Sequence, residues 1–103
     1  MAKYFIVSTD SMTADQEKLF HGKIREHRLG WWHWLPNFWL ILDSGDDLTA
    51  AEIRDFVGDV ARSVRCMVLE VDPRAWAGRT RPDAQGRDMA DWVKRNWPRS
   101  ESD

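Results

Sequence analysis

The sequence is poor in cysteine. It holds one, Cys66, so no disulfide can close within the chain, and a reducing compartment is the natural setting. No apolar run approaches the length of a membrane span, so no membrane partner is expected. The start, MAKYFIVSTD, has one lysine and a short apolar run without a small-residue cleavage site, and it does not read as a signal peptide. The expected location is cytoplasmic. Glycine is scarce, and the isolated Gly78 and Gly86 make no phosphate-cradling loop. Ser8 and Ser11 lack a nucleophile elbow. No histidine or cysteine spacing matches zinc, and His21 and His27 do not share a helix face as an i, i+4 pair would. Neither sign of charge dominates: the formal net charge is -2, which does not favour nucleic acid as a partner.

What the sequence does have is tryptophan. Four of its seven fall between Trp31 and Trp39, inside GWWHWLPNFWLILDSG. Pro36-Asn37 is a turn pair. A two-residue turn there splits the stretch into strands at 31–35 and 38–43, with Trp34 opposite Trp39 and Trp32 opposite Ile41. The other face then holds Trp31, His33, Leu35, Phe38, Leu40 and Leu42. Both faces are apolar, which predicts a cover on each.

The remaining elements follow from periodicity and capping. Tyr4 to Thr9 reads as a strand. Thr13 and Gln16 form a capping box, and the helix after it should run to about Arg28 and stop at Gly30 as its C-terminal glycine. Thr49 and Glu52 form a second box before the stripe Ile53, Phe56, Val57, Val60 and Val64. Arg65 to Val71 reads as a strand. Residues 74–85 read as a loop, and 86–97 as a last helix bearing Met89, Trp92, Val93 and Trp97. Pro98 blocks continuation, and the tail after it should fray.

Strand, helix, strand, strand, helix, strand is the ferredoxin-like split βαβ arrangement, an α+β fold. Right-handed crossovers give an antiparallel sheet in the order 4-1-3-2 with both helices on one face. Residues 1–73 form this domain, and 74–103 add a basic loop and a helix expected to pack on it. The charge divides similarly: residues 1–73 carry 8 basic and 12 acidic side chains, a net of -4, and residues 74–99 carry 7 and 3, a net of +4. Sheet tryptophans left wet would cost several kcal/mol at about 25 cal/mol per Å². The C-terminal helix or a second copy of the chain is therefore expected over the open face.

The segments WWHWLPNFWLIL, LTAAEIRDFV and MVLEVDPRAWAG, with a final helix ending in tryptophan, resemble the small uncharacterised bacterial SinR-like proteins. That group is similar in fold to CRISPR-associated dimeric endoribonucleases and GhoS-type antitoxin ribonucleases. The resemblance spans about Lys3 to Trp97. It implies a ferredoxin-like fold and a role in defence or toxin–antitoxin biology. In the CRISPR nucleases an aspartate ends the first strand and pairs across the dimer to hold a divalent metal. Asp10 matches it, in a Thr9-Asp10 pair where those relatives carry Tyr-Asp.

Three functions are thus expected to compete. One is a non-catalytic binding or regulatory module, homodimeric, that uses the aromatic sheet for protein association and needs no cofactor. Another is a metal-dependent endoribonuclease with Asp10 holding Mg²⁺ across a dimer and with arginines on the nucleic-acid backbone. The last is a nucleotide or small-ligand binder stacking on Trp32, Trp34 or Trp39. His33, set between tryptophans, is a candidate base or stacking group. Arg74, Arg79, Arg81 and Arg87 are candidates for gripping phosphate or docking on the acidic body. Cys66, in a strand beside only Arg65, reads as inert.

Overall fold

The computed structural model describes residues 2–79 and 81–97. Its elements are β1 (Lys3–Thr9), α1 (Ala14–Glu26), β2 (Gly30–Trp32), β3 (Phe38–Asp43), α2 (Ala50–Val60), β4 (Cys66–Val71) and α3 (Asp91–Asn96). The four strands make one antiparallel sheet in the order β2-β3-β1-β4. This is the expected ferredoxin-like topology with an added C-terminal helix. The chain forms two compact units, Met1–Val71 and Asp72–Asp103.

In the first unit the helices cover the central strands on one face of the sheet. Phe5 and Val7 of β1 and Trp39 and Ile41 of β3 pack with Phe20 and Ile24 of α1 and Ile53 and Val57 of α2. Each of these eight residues is at most 1 % exposed. The period-2 alternation of the strands and the helical stripes meet in that layer. Both capping boxes form as expected, with Thr13 and Gln16 bonding reciprocally and Thr49 and Glu52 doing the same.

The end of α1 differs from expectation. Its left-handed residue is Arg28, at φ 57°, and not Gly30. Leu29 N–H donates to Ile24 O at 3.0 Å and Arg28 N–H to Arg25 O at 3.1 Å, the double closure of a Schellman motif. Leu29 and Ile24 are both buried, so their apolar contact offsets the strain of a left-handed arginine. Gly30 is thereby released to open β2.

The hairpin differs as well. β2 is only Gly30–Trp32, and its register sets Trp31 against Ile41 and Trp32 against Leu40. That is one residue from the expected pairing. Continued to the turn, it leaves Leu35, Pro36 and Asn37 as a three-residue loop. Asn37 sits at φ 62°, the left-handed position such loops use. A one-residue slip exchanges the faces of the whole strand. Trp31 and His33 therefore lie on the helix side with Trp39, and Trp32 lies on the far side, edge-on to Phe38.

Between β3 and α2 the chain is held by Asp43, buried at 4 % exposure. Its carboxylate accepts the amides of Gly45, Asp47 and Leu48. Lys3 clamps the same loop, donating from Nζ to Leu48 O at 2.8 Å and pairing with Asp46 at 3.2 Å.

In the second unit the last helix is shorter than the expected 86–97. Gly86 takes φ 77° in a turn organised by Asp83, which accepts the amides of Gln85 and Arg87 and the Arg87 Nε. Asp88 then accepts the Ala90 amide, and α3 begins at Asp91. Side chains that bond to nearby backbone favour turns over helix, and both aspartates do so here. The expected fraying beyond Pro98 lies outside the described residues.

Candidate functional site

Asp10 follows the end of β1, beside the start of β4. Its amide donates to Arg65 O at 2.9 Å, and the Arg65 amide donates back to its Oδ2 at 3.0 Å. The carboxylate thus extends the β1–β4 ladder by one rung. Arg65 also grips it with two prongs, Nε to Oδ2 at 2.8 Å and Nη2 to Oδ1 at 3.1 Å. These side-chain and backbone bonds from Arg65 hold the Asp10 carboxyl below the usual carboxylate range. Both oxygens are committed to a cation the chain supplies itself, so a metal ion at Asp10 would have to displace a bidentate guanidinium. Among the described residues no three His, Cys, Asp or Glu side chains converge as a metal-binding group.

His33 is equally committed. Its ring lies flat on Trp39, its Nδ1 meets Phe38 O at 2.8 Å, and its Nε2 meets Glu17 Oε2 at 3.0 Å. Each ring nitrogen thus faces an oxygen partner within hydrogen-bond distance. Neither is left to serve as a general base. The imidazole is a tie between α1, the hairpin and β3.

His21 completes the aromatic group. It packs on Trp31 at 4.4 Å and edge-on to Trp39 at 5.1 Å between ring centroids. Its Nε2 is buried without a hydrogen-bond partner among the described residues. Burial pushes its pKa below the usual histidine value; His33 and Arg25 add to the shift and Glu17 opposes it.

The three candidate stacking tryptophans are not brought together. Trp39 is 0 % exposed in the helix-side core, Trp32 is 6 % exposed on the opposite face, and Trp34 near the hairpin tip is 39 % exposed. A stacking ligand has no access to Trp39, whose surroundings are His33, His21, Phe20 and Trp31. Arg74, Arg79 and Arg81 are exposed. Arg87 is tied to Asp83, with an Nη2–Oδ2 distance of 2.8 Å.

Accessible apolar surface lies at Leu19, Trp31, Trp34 and Leu35 on α1 and the hairpin, and on β4, which the sequence reading passed over as an ordinary strand. On the face away from the helices Met67 is 63 % and Leu69 47 % exposed, whereas Trp32 and Leu40 at the other side of that face are buried. On the helix face a groove of about 280 Å³ runs beside β4, lined by Ala50, Ala51, Arg54, Cys66, Met67 and Val68. Burial raises the Cys66 thiol above its ordinary pKa and Arg54 opposes that in part, so the thiolate is disfavoured.

Comparison of the chain with family models, curated proteins and solved structures gives no significant match. No helix among the described residues is long and apolar enough to cross a membrane.

Proposed function

We propose that this protein is a non-catalytic association module that works as a homodimer in the cytoplasm, and that its apolar sheet surface is the means of association. The observation that carries this reading is the pair Met67 and Leu69, large apolar side chains more than 45 % exposed on one strand. Covering such side chains from two copies is favourable on the order of several kcal/mol. A regulatory rather than chemical role is supported by the state of the two candidate catalytic groups. Asp10 is neutralised by Arg65, and His33 has both nitrogens in hydrogen bonds. Membership of the SinR-like proteins, and with it a place in defence or toxin–antitoxin biology, is part of the same proposal and rests on the sequence resemblance and on analogy of fold.

The test has two arms. Sedimentation velocity over a wide concentration range is expected to show a reversible monomer–dimer equilibrium. RNA and DNA cleavage with added Mg²⁺ is expected to be absent, in the wild type as in Asp10→Ala. Cleavage by the wild type that Asp10→Ala abolishes would install the nuclease reading in its place.

A further inference from the structure

The two edges of the sheet are unlike. β2 is three residues long, whereas β4 presents six residues, Cys66–Val71, paired to β1 without a bulge. Edge strands in monomers are commonly guarded by lysine, proline or a bulge, and CMVLEV has none of these. Asp10 N–H donates to Arg65 O, so the backbone of residue 65 faces β1. Alternation along an antiparallel ladder then turns the N–H and C=O groups of Cys66, Val68 and Glu70 outward.

We propose that β4 pairs antiparallel with β4 of a second copy about a two-fold axis at Val68, joining the two sheets into one. This deepens the association reading above and rests on it. The outward backbone groups limit the registers to those that pair Cys66, Val68 and Glu70 among themselves, and a centre at Val68 uses all three. A centre at Val68 makes Val68–Val68 and both Cys66–Glu70 pairs hydrogen-bonded. The Met67–Leu69 pairs between them are of the non-bonded kind, in which side chains approach most closely. Those are the two exposed apolar residues of the strand.

Charge supports the same register. Glu70 is exposed and points to the helix side, as Cys66 and Val68 do. Pairing Glu70 of the second copy with Cys66 sets its carboxylate at the groove where Arg54 lies beside Cys66. Two-fold symmetry makes that contact twice. Among the described residues Arg54 pairs with its neighbour Asp55 at 3.0 Å, both side chains being more than 60 % exposed, a weak arrangement that leaves the guanidinium able to turn.

The experiment is charge reversal with rescue on the full chain, read by sedimentation equilibrium, with far-UV circular dichroism confirming the fold. Arg54→Glu and Glu70→Arg should each weaken dimerisation about tenfold or more, since each creates two like-charge contacts. The double variant should return the dissociation constant to near the wild-type value. Leu69→Lys should abolish the dimer. A dimer indifferent to all three single substitutions overturns the β4 pairing and leaves self-association standing through another surface. A wild type that stays monomeric at the highest soluble concentration overturns both.

Discussion

The rings of His33 and Trp39 are stacked face to face, their centroids 3.6 Å apart and their planes 1° from parallel. His33 is thereby fixed while its two nitrogens reach Glu17 on α1 and the Phe38 carbonyl on β3. A side chain that resembles a catalytic histidine in the sequence is a structural clamp at the turn end of the hairpin.

Replacing His33 with Ala should cost about 1–3 kcal/mol, the range for removing charge-assisted hydrogen bonds together with an aromatic contact. His33→Phe should recover only part of this, because it keeps the stack and leaves Glu17 and the Phe38 carbonyl unpaired. Urea midpoints at an unchanged m-value give the comparison. Equal stability in wild type and Ala would deny the clamp.

Asp43→Ala should be among the more damaging polar substitutions. It strips the acceptor from three amides in a buried setting, and the expected loss is about 2–3 kcal/mol. Asp43→Asn, which keeps one acceptor oxygen, should fall between. Thermal denaturation of both variants against wild type provides the check.

Asp10 gives a pH-dependent prediction. Its folded pKa lies below the unfolded value because Arg65 donates to the charged form. The stabilisation is therefore present in full above the ordinary carboxylate range and is lost as pH falls through the folded value. The stability gap between wild type and Asp10→Asn should be widest near neutrality and should close under acid. A gap that stays constant with pH would contradict the ion pair.

His21 acts in the opposite chemical sense. Desolvation lowers its pKa from the ordinary 6.5, so the unfolded chain takes up the proton first. Its contribution destabilises the fold as pH drops below about 6.5, down to the lower folded value. His21→Gln should flatten that part of the wild-type profile. Melting temperatures between about pH 5 and 7.5 test it, and an unchanged slope in the variant would contradict the assignment.

Much of the fold was legible in the sequence because its signals are local. Thr13–Gln16 and Thr49–Glu52 announce their helices by side chains that bond within one turn. The sheet order follows from the handedness of the two crossovers. That order even brings the end of β1 beside the start of β4, so the Asp10–Arg65 pair was implicit in the topology. The hairpin was different. Its register depends on whether Asn37 is the second or the third residue of the loop, and both fit the Pro-Asn pair. That single residue decides whether Trp31 and His33 share a face with Trp39 and hence whether His33 can meet Glu17. Arg28 in the left-handed position was hidden for a similar reason, because the Ile24–Leu29 contact overrode the preference for glycine. The exposed side of β4 escaped notice since MVLEV spells a buried strand and its place at an edge comes from the fold as a whole.

The central claim is that β4 carries the surface by which two copies meet. Amide hydrogen exchange followed by NMR, in dilute and in concentrated samples of the same protein, tests it residue by residue. The amides of Cys66, Val68 and Glu70 should exchange markedly more slowly in the concentrated sample, with the β2 edge unchanged. Rates at those three amides that do not depend on concentration would contradict it.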